Sequence, residues 1–204
     1  ESGMYKTVLV IASEKLSSIV DYQDRNTCIL FGDGASAYVV STGKKGYTIE
    51  NVVLGADGEQ AEILILPAGG ARKPASIETV NDRLHYIRME GKEVFKHAVR
   101  RMEGTVKTCL DQIGLKEEEI SWLVPHQANI RIIDSLAKRF KVPMERVFVT
   151  IHKYGNTSSS SVGIALDELL QEQKIEEGEH LLLFAFGAGL TFGSAILTCH
   201  NGEE

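Results

Sequence analysis

The feature that most constrains the fold is a change of hydrophobic period at Gly91, after which helical and strand patterns alternate. Apolar residues recur at three- and four-residue steps as far as Ile113, a pattern that predicts one long amphipathic helix ended by Gly114. Short strands and helices are then predicted in turn at residues 122–124, 129–140, 147–150, 157–173, 181–186 and 192–199. This alternation is typical of an α/β sheet with helices on its faces, and the last two strands, joined by a short turn, should be antiparallel.

The first part of the chain favours strands and an irregular loop. The apolar, β-branched run at residues 7–12 predicts a strand that is covered on both faces. A Gly-Asp-Gly sequence at residues 32–34 suggests a tight turn, with strands expected at residues 35–40 and 47–54. Residues 55–81 hold two prolines and several glycines, a composition that favours an extended surface excursion.

Composition and charge argue against several classes of function. The formal net charge of -6 gives no support to nucleic-acid binding, which usually accompanies a basic domain. No apolar run approaches the roughly eighteen residues of a membrane-spanning helix, and nothing resembles a signal peptide, so we expect no membrane contact and a cytoplasmic location. The three cysteines lack the spacing of a disulfide framework or a zinc site. We therefore expect no metal, and small buried thiols at Cys28 and Cys109.

Three segments place polar or glycine residues just after a predicted strand, where sites collect in α/β sheets. They are Pro-His-Gln-Ala-Asn at residues 125–129, Tyr-Gly-Asn-Thr-Ser at 154–158 and Phe-Gly-Ala-Gly-Leu at 186–190. Each also has a simpler explanation. His126 could be a hydrogen-bonded structural histidine, Asn156 could cap the following helix, and the third segment could be only a turn.

In this order and spacing, the three segments together resemble the C-terminal motifs of the β-ketoacyl-acyl-carrier-protein synthase III family. Phe-Gly-Asp-Gly-Ala at residues 31–35 and Glu-Gly-Lys-Glu-Val-Phe at 90–95 are similar to that family too. Asn156 stands where elongating ketoacyl synthases have a second histidine. This His/Asn pairing is found in synthase III and in the plant polyketide synthases, and the His-Gln-Ala-Asn sequence favours synthase III. The resemblance implies an α/β fold, a thiolase-like αβαβα layered sandwich. Residues 1–80 would supply the end of its first half and a connecting excursion, and residues 81–204 its complete second half.

The resemblance implies an acyltransferase that initiates fatty acid synthesis. In that family an acyl group, often acetyl, moves from coenzyme A to a cysteine; malonyl-acyl-carrier protein then loses carbon dioxide and attacks the acyl-enzyme. His126 and Asn156 match the residues that donate hydrogen bonds to the malonyl thioester oxygen, where negative charge develops. The oxyanion and decarboxylation loop is matched by Phe186, Gly187, Ala188 and Gly189. Ala188 departs from the usual glycine, and its methyl group would add strain if the loop requires a positive φ.

Two binding surfaces are implied as well. The tunnel for the coenzyme A or pantetheine arm is matched by Met89, Gly91, Phe95 and Asn129. A docking surface for the acidic acyl carrier protein is matched by Gln127, Ala128, Asn129, Ile130, Arg131, Lys96, Lys138 and Arg139. From periodicity alone Phe95 is equally well a core residue, and a basic stripe alone is more typical of a solvated helix face.

In the family the nucleophilic cysteine lies on a helix just before the segment that aligns with Glu1, a position that Cys28, Cys109 and Cys199 do not occupy. We therefore expect the C-terminal part of a condensing enzyme, with its N-terminal half absent, disordered or cleaved away, that forms no acyl-enzyme alone. The alternatives are a catalytically silent carrier-protein-binding or dimerisation module, and a related polyketide-type ketosynthase. The family is usually homodimeric and takes acyl-coenzyme A and malonyl-acyl-carrier protein as substrates, without a cofactor.

Overall fold

The computed structural model describes residues 3–43 and 46–200, and these form strands and helices in alternation. The strands are β1 (Thr7–Lys15), β2 (Asp33–Ser41), β3 (Gly46–Ala56), β4 (Leu64–Ile65), β5 (Arg88–Met89), β6 (Ile120–Pro125), β7 (His180–Gly187) and β8 (Thr191–His200). The α-helices are α1 (Ile77–Asn81), α2 (Gly91–Ile113), α3 (Ile130–Arg139), α4 (Ile151–Tyr154) and α5 (Ser160–Glu172). Short 3-10 turns lie at Leu16–Ser18, Gly58–Ile63, Glu117–Glu119 and Met144–Arg146.

The main sheet has four strands in the order β3-β8-β7-β6. β6 and β7 are parallel, whereas β8 is antiparallel to both β7 and β3, so the predicted pairing of the last two strands is confirmed. β1 and β2 form a separate antiparallel pair, and β4 pairs with β5. Because β3 pairs with β8, the four-stranded sheet includes residues that lie before position 81. The division of the chain into two halves at residue 80 stays a prediction.

Helices cover both faces of the four-stranded sheet. On one face α2 and α3 pack over a core that includes the buried side chains of Val106, Leu123, Leu136 and Ile196. On the other face α5 packs over a second core with Val124, Leu181 and Leu169 at its centre. Since α5 also contacts β1 and β2, it lies between the two sheets. The layers therefore run hairpin, helix, sheet, helices, as expected for an α/β sandwich.

The β1–β2 hairpin differs from its prediction in two ways. Leu9 and Ile11 are 59% and 64% exposed, so the expectation that residues 7–12 are covered on both faces is wrong for the described chain. These two side chains point away from α5, which covers only the face that carries Tyr38. The tight turn expected at residues 32–34 is also wrong, because β2 already begins at Asp33 and pairs with the end of β1.

Two further expectations are corrected near the predicted site. Residues 147–150 form no strand; Val147 makes only an isolated parallel bridge to Leu123. Helix α5 begins at Ser160, three residues later than predicted, because the preceding segment follows a separate hydrogen-bonded path. The long amphipathic helix predicted from Gly91 to Ile113 is confirmed as α2.

Candidate active site

The ends of β6 and β7 and the segment before α5 meet at one cavity of about 790 Å³. Its lining includes His126 after β6 and Asn156 before α5. Phe186, Gly187 and Ala188 line it from the end of β7 and the turn that follows. The rest of the lining is mostly apolar. The structure thus brings the two predicted catalytic residues together with three of the four predicted loop residues.

His126 is fixed by the neighbouring strand and by helix α5. Its backbone N–H donates to the Phe184 carbonyl of β7 at 2.8 Å, which continues the pairing of β6 with β7. Its Nδ1 lies 2.6 Å from the hydroxyl oxygen of Ser161 in the first turn of α5. Burial lowers the pKa of the His126 imidazole from 6.5 to about 4, because the charged form would lose its hydration. His126 is therefore neutral near pH 7, with one ring nitrogen donating and the other accepting.

Asn156 is held by the segment that precedes β2. Its N–H donates to the Leu30 carbonyl at 2.9 Å, and its carbonyl accepts the N–H of Gly32 at 2.8 Å. Its side-chain Oδ1 accepts the N–H of Ser158 at 2.9 Å. Because Oδ1 already accepts this hydrogen bond, the side-chain amide nitrogen is the atom of Asn156 that can donate to a ligand in the cavity. Asn156 does not cap α5, whose N-cap position is Ser159.

Gly32 makes this contact with Asn156 possible. A Cβ atom at position 32 would lie 2.2 Å from the carbonyl oxygen of Tyr154, well inside van der Waals contact. The Tyr154 hydroxyl donates to Glu168 of α5, and Lys153 Nζ donates to the same carboxylate at 2.6 Å. The Lys153 and Tyr154 hydrogen bonds lower the pKa of Glu168. The Phe-Gly-Asp-Gly sequence therefore supports the site, a role that sequence reasoning missed.

The turn between β7 and β8 is anchored to the loop after β3. The N–H of Leu190 donates to the Asp57 carbonyl at 2.7 Å, and the N–H of Asp57 donates to the Leu190 carbonyl at 2.8 Å. The Asp57 carboxylate in turn forms an ion pair with Arg101 of α2. Asp57 and Arg101 were not singled out by the sequence, since a carboxylate in a loop and an arginine on a helix are common surface features.

The backbone conformation of Ala188 shows whether its methyl group adds strain to the loop. Among the described residues other than glycine, a positive φ occurs only at Arg83, Lys141 and Ser158. Ala188 thus carries no strain of that kind, and its N–H is retained. Gly189, with φ of +130°, is the residue of this turn whose conformation favours glycine.

Gln127 was expected on a docking surface, and the structure corrects this. Its side chain is buried, and its Nε2 donates to the carbonyls of Pro125 at 2.8 Å and Phe148 at 3.2 Å. Its Oε1 accepts the backbone N–H groups of Thr150 at 2.9 Å and Ile151 at 3.1 Å. All four hydrogen-bonding positions of the amide are used inside the protein. Gln127 therefore braces the turn that carries the histidine and has nothing to offer a partner.

The four residues expected in the tunnel do not border the cavity. Met89 packs against the core beside α2, and Gly91 is the first residue of that helix. Phe95 is 37% exposed on α2. Asn129 caps α3, where its Oδ1 accepts the N–H of Arg131 at 2.9 Å. Their role in a tunnel stays a prediction.

The remaining docking residues lie at or near the surface. Ile130 is 46% exposed and Arg131 is exposed at the start of α3, while Ala128 is half-buried. Exposed ion pairs join Lys138 to Asp134, Arg139 to Glu103 and Lys96 to Glu93. These pairs neutralise part of the expected basic stripe, and its docking role also stays a prediction.

The three cysteines lie outside the lining of this cavity. Cys109 and Cys199 are buried, and burial raises the pKa of both thiols. Cys28 is half-buried in the segment before β2. Within residues 3–43 and 46–200, no group of three or more histidine, cysteine or acidic side chains is placed to hold a metal ion. Over the same ranges, no helix has the length and apolar character to cross a bilayer.

The layered sheets and the converging strand ends define a protein of the thiolase-like α/β fold. Comparison with known families then narrows this class. Residues 1–58 match the sequence model of 3-oxoacyl-[acyl-carrier-protein (ACP)] synthase III, and residues 110–199 match the model of its C-terminal part. The chain belongs to this synthase III family.

Individual relatives agree. A β-ketoacyl-[acyl-carrier-protein] synthase III of Chlamydia trachomatis is 63% identical over 198 residues, which cover 97% of this chain and 61% of the relative. The crystal structure of the synthase III from Aquifex aeolicus VF5 superposes with a TM-score of 0.85 at 45% identity, over 97% of this chain and 59% of that one. The priming β-ketosynthase of the R1128 polyketide biosynthetic pathway gives a TM-score of 0.82 at 37% identity, over 99% and 60%. The chain thus spans 59 to 61% of the length of these relatives.

Proposed function

We propose that His126 and Asn156 form the decarboxylation side of a β-ketoacyl-acyl-carrier-protein synthase III active site. The reaction condenses an acyl group, most simply acetyl from acetyl-coenzyme A, with malonyl-acyl-carrier protein. One observation carries the proposal. His126 and Asn156 border the same cavity, and each has another polar side-chain atom bonded to the protein. Each can therefore present one hydrogen-bond donor to a bound thioester.

The chemistry needs donors at that place. When malonyl thioester loses carbon dioxide, the electron pair of the broken C–C bond passes to the neighbouring carbon and onto the thioester oxygen. That carbon then attacks the acyl carbonyl of the acyl-enzyme, and the cysteine leaves as thiolate. Two donors fixed beforehand in a mostly apolar cavity stabilise the oxygen charge, each by about 3 kcal/mol.

Paired variants test this role in the complete gene product. We expect His126→Ala and Asn156→Ala each to lower decarboxylation of malonyl-acyl-carrier protein by roughly 10²- to 10³-fold while acylation by acetyl-coenzyme A continues. His152→Ala is the matched control, because His152 is exposed on α4 and does not border the cavity. Wild-type decarboxylation by both site variants would refute the proposal.

The acyl-accepting thiol is, on this proposal, none of the cysteines of this sequence. Thiolate is the reactive form, and desolvation disfavours it at Cys109 and Cys199. Labelled acetyl-coenzyme A, followed by digestion and mass spectrometry, tests the point in the complete gene product. Stable label on Cys28, Cys109 or Cys199 contradicts it, and label on another cysteine supports it.

A polyketide-priming ketosynthase is the second candidate, favoured by the likeness to the R1128 enzyme. Both candidates share the decarboxylation step, so the acyl donor must separate them. Turnover measured side by side with acetyl-coenzyme A and with longer acyl-coenzyme A thioesters decides. A preference for acetyl supports fatty acid initiation, and a preference for a longer primer supports the second candidate.

The acyl carrier protein is proposed to dock beside the start of α3, with the complete protein acting as a cytoplasmic homodimer, as the family resemblance implies. Arg131 supports the docking site, because it is exposed within six residues of His126 and is paired with no acidic side chain among the described residues. Arg131→Glu should raise KM for malonyl-acyl-carrier protein with little change in kcat, and the effect should shrink as salt rises. Lys107→Glu, a charge reversal at an exposed position on a different helix, α2, is the control. Equal KM for both variants would argue against this surface.

A further inference from the structure

Ser161 connects helix α5 to the turn that carries His126. It is 2% exposed and lies in the first turn of α5. Its Oγ is 2.6 Å from His126 Nδ1 and accepts the backbone N–H of Gln127 at 3.2 Å. Because the side chain of Gln127 is itself held by four hydrogen bonds, the turn cannot move away from the serine without breaking several contacts.

The protons at this contact can be assigned from the partners. The Gln127 N–H can only donate, so Ser161 Oγ accepts there. If the ring also donated from Nδ1, the Ser161 hydroxyl proton would be buried without an acceptor among the described residues, which is unfavourable. If the hydroxyl donates to Nδ1, every partner is satisfied. A neutral imidazole that accepts at Nδ1 carries its proton on Nε2.

We infer that Ser161 is a positioning residue whose hydroxyl holds the His126 proton on Nε2. The structure gives Nε2 no hydrogen bond to any described residue, and His126 borders the cavity, so this proton is available to a ligand. Ser161 thereby makes His126 a donor toward the cavity instead of an acceptor. The consequence for catalysis rests on the proposed function, whereas the position of the proton does not.

Nitrogen NMR of histidine-labelled complete gene product measures the tautomer directly. The His126 signals are assigned by their loss in His126→Asn. We expect the Nε2–H form in the wild-type protein and in Ser161→Thr, which keeps the hydroxyl. In Ser161→Ala we expect a mixture of tautomers or the Nδ1–H form. Ser160→Ala is the matched control, since this neighbouring buried hydroxyl donates to the Thr157 carbonyl and does not touch His126.

Kinetics on the same variants separate positioning from general support of the fold. Ser161→Ala should lower kcat for decarboxylation about tenfold or more, toward the roughly 10²- to 10³-fold loss of a whole donor, while KM changes little and Ser161→Thr recovers most of the rate. A wild-type His126 that carries its proton on Nδ1 overturns the inference without any variant, and so does an unchanged tautomer in Ser161→Ala. If the tautomer changes but turnover does not, Ser161 controls the proton and the proposed role of His126 as a donor is refuted instead.

Discussion

Replacing Gly32 by alanine should disturb Asn156 through a single contact. Gly32 has no positive φ, so the added methyl causes no backbone strain of its own. Its Cβ would lie 2.2 Å from the Tyr154 carbonyl oxygen, about 1 Å closer than a tolerable contact, and Tyr154 is tied to Glu168 of α5. The two segments must therefore separate, which strains the hydrogen bonds between Asn156 and residues 30–32. Overpacking of this kind costs about 1–3 kcal/mol, and each weakened hydrogen bond adds about 1 kcal/mol.

The catalytic consequence should be comparable in free energy to the loss of stability and should remain where the variant is fully folded. Moving a catalytic group by about 1 Å can cost roughly 10²-fold in rate. We therefore expect Gly32→Ala to lower the free energy of unfolding, measured by denaturant titration, by about 2–4 kcal/mol. At a temperature where the variant is fully folded, it should decarboxylate malonyl-acyl-carrier protein about 10²-fold more slowly. Gly104→Ala is the control: a Cβ there meets nothing within 4 Å, and it should stabilise α2 by about 0.5–1 kcal/mol without changing the rate. A folded Gly32→Ala variant with wild-type kcat would refute the reasoning.

Three further predictions concern other parts of the site. Because burial lowers the pKa of His126 from 6.5, its ordinary value in an unfolded chain, to about 4 in the folded protein, the unfolded state binds the proton first. Lowering the pH from 7 to 4 should therefore cost the wild type about 3 kcal/mol of unfolding free energy relative to His126→Asn, measured by denaturant titration at each pH; parallel curves would contradict this. Gln127→Met should lower unfolding free energy by about 3 kcal/mol, because it orphans the buried N–H of Thr150, and a change below 1 kcal/mol would show that water replaces the amide. Ala188→Gly should leave kcat within about twofold and stability within about 1 kcal/mol, since Ala188 needs no positive φ; a large gain in rate would show that the methyl obstructs the loop.

Local pattern predicted the elements whose neighbours lie close in the sequence. Helix α2 follows from its apolar stripe, and the antiparallel pairing of β7 with β8 follows from the short turn between them. That His126 and Asn156 border one cavity was expected from the family resemblance of the three motif segments, although the strand predicted before Asn156 is absent. Each of these depends on periodicity or on a motif within a few residues, which a single sequence displays.

Contacts between distant segments were not accessible in the same way. Nothing local to Gly32 reveals that it contacts Tyr154, more than a hundred residues later. Gln127 was assigned to a docking surface because it matches that surface in the family, yet tertiary contacts with residues 148–151 bury it. Ser161 is one of four consecutive serines, and no spacing rule distinguishes it from the others.

The chemistry of the site follows from which polar side-chain atoms are already hydrogen-bonded inside the protein. For Asn156 the acceptor oxygen is taken by the N–H of Ser158, and for His126 one ring nitrogen is taken by Ser161. Gln127 follows β6 and lies against α5. All the hydrogen-bonding positions of its side-chain amide are used inside the protein. A polar side chain beside a cavity becomes a defined donor when every atom except the donating one is already satisfied, because no rotation or proton shift then lowers the free energy. The motif residues that line the cavity therefore present donors to a ligand, whereas the supporting residues hold those donors in place. Gly32 and Ser161 each act on one lining residue, so their variants should lower decarboxylation as well as stability. Gln127 holds the turn through buried hydrogen bonds, so its variant should mainly lower stability.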